Sequence, residues 1–289
     1  VVKMSKKVML KKDFKVFCGI DFGTQGFGLA YAFRDPNAQD ESKENDIDNK
    51  YKYNLMLHTG WDDVAQELLK LNSCIAIKAS DSCGNNTESK DDIKASMNTN
   101  AETYFGNTAR ITASYNGNNK GYTLIENYKM YLYTGSNKEI AKTIKSINTD
   151  TVFINSIKYL KDEALQFLNK RKILKRLGYN VGGKKDHEML LTVDDVQWIL
   201  TVPAIWDDKT KQCMRNWAEL AGLINKNISN HLKIVLEPEC ASLQTQYEFK
   251  DSFKNGDKYI VIDAGGGTDI SCHQFMDNYS VKELYYPTG

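Results

Sequence analysis

The chain has 289 residues, of which 41% are hydrophobic and 26% are charged, a balance that is ordinary for a globular protein with a sizeable core. Its 38 basic and 37 acidic side chains leave a formal net charge of +1, so we expect no nucleic-acid partner. No stretch approaches the roughly 18 apolar residues of a membrane span, and the basic N-terminus lacks the apolar core of a secretory signal, so we expect no membrane partner.

The first predicted unit is a strand, a glycine-rich turn and a second strand over residues 16–33. Polar stretches at 35–50 and 79–103 predict solvated loops or insertions. Between them, apolar residues at positions 64, 68 and 71 have helical spacing and predict a short amphipathic helix over 63–71.

The second half of the chain alternates helices and strands. Apolar residues from Phe153 to Phe167 repeat at steps of four and three, which predicts a long helix that ends near Gly178. Strands are predicted at 196–202 and at 232–236 because both stretches are short and apolar.

Two further helices and a closing hairpin follow. The aspartates at 207–208 can cap a helix that Gly222 ends. The pair Glu237-Pro238 starts another helix, because proline is favoured at the first helical position. The apolar face predicted for this helix consists of Cys240, Leu243 and Tyr247. Residues 259–275 predict a strand, a glycine turn and a strand, with an apolar face that nothing covers.

The strand–turn–strand unit therefore occurs twice. Each copy places an aspartate, Asp21 or Asp263, at the end of an apolar strand and follows it with glycines and a threonine. Alternating strands and helices predict a mixed α/β fold. The duplicated unit predicts two similar lobes that face each other.

Both turns have the composition of a phosphate-binding loop. Glycine lets backbone N–H groups crowd round an anion, because it has no side chain and tolerates positive φ. The carboxylate of Asp263 can hold a hydrated magnesium ion beside the phosphates, and the hydroxyl of Thr268 can donate to a phosphate oxygen. The paired turn at Asp21 favours this interpretation over a plain hairpin.

Two commoner nucleotide motifs are excluded. A dinucleotide fingerprint runs from a strand into a helix, whereas the turn at 23–28 runs into a strand. Residues 178–184 match the first seven positions of a Walker A loop, but Lys185 replaces the magnesium-binding hydroxyl and a predicted helix precedes the match.

The cysteines and histidines predict no metal site. None of the six cysteines forms a Cys-x-x-Cys pair, and the four histidines lack metal-ligand spacing. We expect six reduced thiols and a cytoplasmic protein.

The turns also resemble those of a known family. Gly19-Ile-Asp-Phe-Gly-Thr24 and Ile262-Asp-Ala-Gly-Gly-Gly-Thr268 look like the first and second phosphate loops of the heat shock protein 70 family. Leu200-Thr-Val-Pro-Ala-Ile205, followed by Ala221-Gly-Leu223, resembles the connecting segment of that family.

Three more motifs occur in the same order as in the family. Leu236-Glu-Pro-Glu-Cys-Ala241 resembles its Glu-Pro helix start, and Phe105-Gly-Asn-Thr-Ala-Arg110 and Glu126-Asn-Tyr-Lys129 fall where it has a glycine turn and a catalytic lysine. Within the family, the chain is most similar to the divergent heat shock 70 kDa protein 12 branch. That similarity lies in residues 198–206, 211–215 and 272–274.

The resemblance implies a role for each matching residue, with ATP and Mg²⁺ as cofactors. Asp21 and Asp263 would flank the magnesium ion through its waters. Lys129 would reach the γ-phosphate, and Glu237 would orient the attacking water through the metal shell. The phosphates would be cradled by Gly23, Thr24 and Gln25 on one side and by Gly265, Gly266, Gly267 and Thr268 on the other.

The chain departs from the family pattern at three places. Gln25 stands where the family has a hydroxyl residue, although its amide can still donate to phosphate. Asp269 follows Thr268 directly, one residue earlier than the acidic residue of the family pattern. The adenosine-binding segments and the peptide-binding domain of the family would lie beyond Gly289.

We therefore expect an α/β fold of the actin-like ATPase class, built from duplicated ribonuclease-H-like lobes. Lobe I would be nearly complete over residues 14–252, with an inserted subdomain at about 50–148. Lobe II would be truncated, with its first hairpin over 253–289.

The favoured function is ATP binding and slow hydrolysis that switches a chaperone-like protein between conformations. ATP and ADP, client proteins and co-chaperones would be its partners. Two alternatives remain open: a small-molecule kinase of the same superfamily, and a non-catalytic interaction module that binds nucleotide only to hold its shape.

Overall fold

The computed structural model describes residues 13–34, 53–61, 69–78, 102–116, 121–132, 149–179, 190–249, 252–276 and 280–288. The strands in these ranges are Val16–Phe22 (β1), Gly26–Arg34 (β2), Tyr53–Leu57 (β3), Lys70–Asn72 (β4), Cys74–Lys78 (β5), Thr103–Phe105 (β6), Tyr122–Glu126 (β7), Val196–Val202 (β8), Leu232–Leu236 (β9), Lys258–Ala264 (β10), Thr268–Met276 (β11) and Ser280–Glu283 (β12). The α-helices are Gly106–Asn116 (α1), Thr149–Leu168 (α2), Arg171–Arg176 (α3), Asp208–Leu220 (α4) and Glu237–Glu248 (α5), and short 3-10 helices cover Tyr128–Leu132 and Val193–Asp195.

The largest sheet has the strand order β3-β2-β1-β8-β9, and β4 also pairs with β2. β2 is antiparallel to β1, β3 and β4, whereas β8 is parallel to β1 and β9 is parallel to β8. This arrangement is that of a ribonuclease-H-like lobe, and it confirms the mixed α/β class. Because β1, β8 and β9 are parallel, their carboxyl ends lie at one edge of the sheet, where Asp21, Pro203 and Glu237 are found.

A single apolar core packs against this sheet. Alternate residues of β1 are buried, which is the period of a strand. Phe153 of α2 stacks on Trp217 of α4 with ring centroids 4.4 Å apart, and the Trp217 Nε1 donates to Asp150 Oδ1 at 2.7 Å. Phe22, at the end of β1, stacks on Phe153 at 5.6 Å. The end of the strand that carries Asp21 is therefore anchored in the core.

A second, three-stranded sheet has the order β6-β5-β7 and leads into the 3-10 helix Tyr128–Leu132. Tyr128 anchors this helix, because its buried hydroxyl lies 2.6 Å from Ser156 Oγ and its ring meets Phe22 edge-on at 6.1 Å. The next residue, Lys129, is thereby held at the margin of the core.

The third sheet consists of β10, β11 and β12 in that order, all antiparallel. Helix α5 packs on one face, where the Tyr259 hydroxyl contacts Ser242 and accepts a hydrogen bond from Gln246 Nε2 at 2.8 Å. On the opposite face, Ile260 and Ile262 are each 63% exposed. The sheet therefore has one polar, covered face and one apolar, exposed face.

The predicted strands are confirmed in all four places, as is the duplicated strand–turn–strand unit. The predicted cap of α4 is also confirmed, because the Asp207 side chain accepts a hydrogen bond from the backbone N–H of Thr210 at 2.8 Å. Gly222 follows α4 with a φ of 71°, a conformation that favours glycine at a helix end.

The helix predicted over 63–71 is wrong at its C-terminal end, because Lys70–Asn72 is a strand that pairs with β2. Residues 62–68 lie outside the described residues. The same holds for the polar stretch 35–50 and for residues 79–101 of the second one.

The long helix predicted to end near Gly178 is in fact two helices, α2 and α3. Asn169 lies between them, and its side-chain oxygen accepts hydrogen bonds from the backbone N–H groups of Leu190 and Leu191. This tertiary contact ends α2, and helical periodicity along the chain does not show it.

The apolar face predicted for α5 does not face the core. Leu243 is 39% exposed and Tyr247 is 60% exposed. The buried side chains of the helix are instead those of Pro238, Ser242 and Gln246. A polar helix face is therefore the one that meets the third sheet.

Within the ranges given above, no helix is long and apolar enough to cross a membrane. Five cysteines are free thiols, and Cys83 lies outside the described residues. The free thiols are those of Cys18, Cys74, Cys213, Cys240 and Cys272.

Candidate functional site

The first glycine turn, residues 23–25, joins β1 to β2. A Cβ atom on Gly23 would stand 2.3 Å from the carbonyl oxygen of Gly26, so only glycine fits there. Ser73 holds the turn from the side: its N–H donates to the Gln25 carbonyl at 3.0 Å, and its hydroxyl donates to the Thr24 carbonyl.

The second turn, residues 265–267, joins β10 to β11 and has the same length. A Cβ atom on Gly266 would stand 2.7 Å from Gln25 Cγ and 3.0 Å from Thr24 Cβ, so the two turns touch. Among the described residues, no glycine of either turn has a positive φ. Gly23 and Gly266 are thus required for close approach, whereas a Cβ atom on Gly265 or Gly267 would meet no atom nearer than 3.9 Å, and the expected need for positive φ is not found.

The two turns border one cavity of about 360 Å³, a size that suits a small-molecule ligand. Each of the eleven residues predicted for the site lies in its wall. The complete lining is Asp21, Gly23, Thr24, Gln25, Gly26, Lys70, Lys129, Met130, Pro203, Glu237, Asp263, Gly265, Gly266, Gly267, Thr268 and Asp269.

Lys129 and Glu237 form an ion pair inside this cavity. The Lys129 Nζ lies 2.7 Å from Glu237 Oε1, and the two side chains are only 5% and 13% exposed. The ammonium group also lies 5.7 Å from the ring centre of Trp206. Burial raises the pKa of Glu237, and the charge and hydrogen bond of Lys129 oppose that rise.

Glu237 is placed by the backbone. It is the first residue of α5 and follows β9 directly, at the carboxyl edge of the main sheet. Its charge also lies at the N-terminus of a helix, where the helix dipole favours a carboxylate.

Asp269 is a site residue that the sequence analysis noted only as a departure. It lies opposite Asp263 in the β10–β11 hairpin and is 9% exposed. Burial raises its pKa, Lys129 opposes the rise, and the nearby charge of Asp263 adds to it. In the sequence, the position of Asp269 directly after Thr268 could have indicated that it belongs to the site.

Lys70 is a second residue that the sequence analysis missed. Its Nζ lies 2.7 Å from Asp21 Oδ2, and both side chains are partly exposed, at 58% and 38%. Burial tends to lower the pKa of Lys70, but the hydrogen bond and charge of Asp21 and the charges of Asp263 and Glu237 raise it overall. Nothing in the sequence indicated this contact, because the apolar residues over 63–71 have the spacing of a helix rather than of a strand.

The carboxylates of the cavity fit a hydrated divalent cation. Asp21, Asp263, Asp269 and Glu237 supply the hard oxygen ligands that Mg²⁺ prefers. Asp269 Oδ1 is buried without a hydrogen-bond partner, as expected of an atom that awaits a ligand. Among the described residues, no three acidic, histidine or cysteine side chains form a group that could hold a metal ion. Mg²⁺ commonly keeps several waters and uses only one or two carboxylates.

A ribonuclease-H-like sheet with two facing glycine turns and paired strand-end aspartates has the fold of the actin-like ATPase class. The chain is also similar in sequence to known proteins. Heat shock 70 kDa protein 12B of Homo sapiens is 26% identical over 229 residues, which cover 59% of this chain and 31% of that protein. Heat shock 70 kDa protein 12A of Homo sapiens is 28% identical over 228 residues, which cover 59% of this chain and 32% of that protein.

A shorter match involves the chaperone protein HscA homolog of Acinetobacter baylyi, which is 33% identical over 78 residues, or 27% of this chain and 12% of that protein. No family model matches the chain. The chain thus spans about a third of the length of the two human relatives. The resemblance to the heat shock protein 70 family, and to its heat shock 70 kDa protein 12 branch, is confirmed.

Solved structures to which the chain shows some similarity include the crystal structure of MreB5 of Spiroplasma citri bound to ADP. It has a TM-score of 0.44 and 11% identity, with 93% of this chain and 52% of that chain covered. The type II variant of the Aquifex aeolicus Ppx/GppA phosphatase has a TM-score of 0.33 and 13% identity, with 94% and 51% covered.

Proposed function

We propose that this chain is an ATP-binding domain that hydrolyses ATP slowly and switches a chaperone-like protein between conformations. The observation that supports this most is the cavity between the two glycine turns, which contains a buried Lys129–Glu237 pair and the aspartates of both strand ends. Such a cavity has donors for phosphate on two sides and acidic groups for a hydrated cation between them.

Phosphate oxygens would meet the backbone N–H groups of the turns at 23–25 and 265–267. The Thr24 and Thr268 hydroxyls line the same cavity and can donate to the same oxygens. Gln25 contributes an amide, which can donate to phosphate in place of the hydroxyl of the family.

Lys129 would neutralise the charge that develops on the γ-phosphate, because its buried ammonium group acts where water screens charge poorly. Glu237, which Lys129 holds in place, would orient the attacking water. Mg²⁺, when bound, would neutralise the phosphate oxygens. Asp21 and Asp263 would hold its water shell, and Asp269 would accept hydrogen bonds from those waters.

The larger context is proposed on the likeness to the heat shock 70 kDa protein 12 branch. Residues 14–252 would form lobe I, with an inserted subdomain at about 50–148, and residues 253–289 would begin lobe II. Client proteins and co-chaperones would be the partners of the whole protein, in the cytoplasm.

Titration calorimetry of the 289-residue chain tests the proposed function. We expect Mg²⁺-dependent binding of ATP. Tripolyphosphate should bind nearly as well, because the residues that line the described cavity would contact only the phosphates. A dissociation constant of about 0.1–1 mM, or roughly −4 to −5.5 kcal/mol, would fit binding through the phosphates alone. AMP should bind far more weakly. Binding of AMP and ATP with equal affinity, or no binding at millimolar Mg-ATP, would contradict the proposal.

A further inference from the structure

Asp21, Gly28 and Lys70 form a row across three neighbouring strands. The β1–β2 register places Asp21 opposite Gly28, and the β2–β4 register places Gly28 opposite Lys70. The lysine stem and the carboxylate both lie close to Gly28: a Cβ atom there would stand 3.8 Å from Lys70 Cε and 3.7 Å from Asp21 Oδ2, which is ordinary van der Waals contact. The ammonium group thus reaches the carboxylate at 2.7 Å.

The stem of Lys70 is also held on the neighbouring glycine. A Cβ atom on Gly26 would stand 3.1 Å from Lys70 Cβ and 3.5 Å from Lys70 Cδ. The Lys70 stem therefore packs closely on Gly26, the residue that follows the first phosphate turn.

The Lys70–Asp21 pair differs from the other ion pair of the cavity. Lys129 and Glu237 are buried, whereas Lys70 and Asp21 are 58% and 38% exposed at their side chains. A partly exposed pair is weakly held and exchanges partners readily. Lys70 also faces Asp263 and Glu237, so it balances part of the acidic charge of the cavity.

We propose that Lys70 is a resident cation of the phosphate cavity, which neutralises Asp21 while no ligand is bound and transfers to phosphate when a magnesium-bound polyphosphate enters. The transfer of Lys70 to phosphate rests on the proposed function. The neutralisation of Asp21 by Lys70 rests only on the row formed by Asp21, Gly28 and Lys70. It follows that free divalent cations compete with Lys70 for Asp21, so the metal enters together with the phosphate rather than before it.

Mn²⁺ binding to the nucleotide-free chain, followed by electron paramagnetic resonance, tests whether Lys70 neutralises Asp21. Lys70→Met should bind Mn²⁺ severalfold more tightly than the unchanged chain, and Lys70→Arg should not. Lys78→Met is the matched control, because Lys78 is also a half-exposed strand lysine that pairs with a carboxylate, Glu102. Unchanged Mn²⁺ affinity in Lys70→Met would overturn the proposal.

Calorimetry with Mg-tripolyphosphate tests whether Lys70 transfers to phosphate when a polyphosphate binds. Lys70→Met should weaken binding roughly ten- to a hundredfold, the effect of losing one hydrogen bond to a charged group. The control Lys78→Met should leave binding unchanged. If Lys70→Met gains Mn²⁺ affinity but keeps its tripolyphosphate affinity, the transfer to phosphate is wrong. If the unchanged chain binds no polyphosphate, the proposed function fails while the Mn²⁺ measurement still decides the role of Lys70 at Asp21.

Discussion

At the scale of single residues, the charge of Asp263 should decide whether Mg²⁺ supports binding. The residue is the penultimate one of β10, lies opposite Asp269 and lines the cavity. Asp263→Asn should weaken Mg-ATP binding by about 1.5–3 kcal/mol, as for other hydrogen bonds to charged groups, and should lower any hydrolysis that the unchanged chain supports. Calorimetry with and without Mg²⁺ measures the binding. Glu248→Gln, an exposed change at the end of α5, is the control; equal Mg²⁺ dependence in both variants would count against the two-turn site.

Lys129 should matter for the γ-phosphate far more than for ADP, which has none. Lys129→Ala should lower the hydrolysis rate about a hundred- to a thousandfold, or roughly 3–4 kcal/mol, the range of other preorganised donors. ADP affinity should change little. The substitution also leaves Glu237 buried without its partner, so the thermal midpoint must be measured, and the same change made in a Glu237→Gln background. Equal losses for ATP and ADP would make Lys129 a structural residue.

Asp269 should make the stability of the chain depend on pH. Its pKa is higher in the folded state than the ordinary value of 3.8, so the folded chain binds more protons than the unfolded chain as pH rises through that value. Unfolding free energy should therefore fall as pH rises from about 3.8 through the raised pKa. Asp269→Asn should lose this slope, and urea titrations at several pH values would show it. If the unfolding free energy depends on pH equally in the unchanged chain and in Asp269→Asn, Asp269 is not the source of that dependence.

At the scale of elements, the polar contact between α5 and the third sheet should be a weak but specific link. The Tyr259 hydroxyl accepts from Gln246 at 2.8 Å and contacts Ser242, so Tyr259→Phe leaves the buried amide with only its longer contact, 3.5 Å, to Ser242 Oγ. We expect a loss of about 1–3 kcal/mol in unfolding free energy. Tyr286→Phe, at a side chain that is 95% exposed, should cost almost nothing. Comparable unfolding free energies of the two variants would show that the contact does not stabilise the chain.

The third sheet should be the least protected of the described elements in hydrogen exchange. Ile260 and Ile262 on its exposed face contribute little burial, whereas alternate residues of β1 are fully covered. Amides beyond residue 250 should therefore exchange faster than those of β1 and β8. Equal protection of β10 and β1 would show that the third sheet is as stable as the first.

The elements of the site differ in how much the sequence could reveal. Both turns and their aspartates were predicted, because strand, glycines and threonine are contiguous in the chain. Lys70 could not be found, since its reach to Asp21 depends on a register across three strands. The inward face of α5 was also missed, because its partners are polar groups of β10 rather than an apolar core.

At the scale of the whole molecule, the site exists only because two distant stretches meet. The turns at 23–25 and 265–267 belong to different sheets, yet Gly266 lies against Thr24 and Gln25. A ligand that binds both turns should therefore hold the two sheets together. Such coupling is what a conformational switch requires, since a ligand shifts an equilibrium only through contacts that differ between its states.

Hydrogen exchange of the 289-residue chain, with and without Mg-ATP, tests this central claim most directly. If one polyphosphate is held between the turns, amides at 23–25 and at 265–267 should gain protection together, at the same ligand concentration. Asp263→Asn should reduce both gains, although residue 263 lies in only one of the hairpins. Protection of one turn alone, or unequal midpoints for the two, would contradict a shared phosphate site.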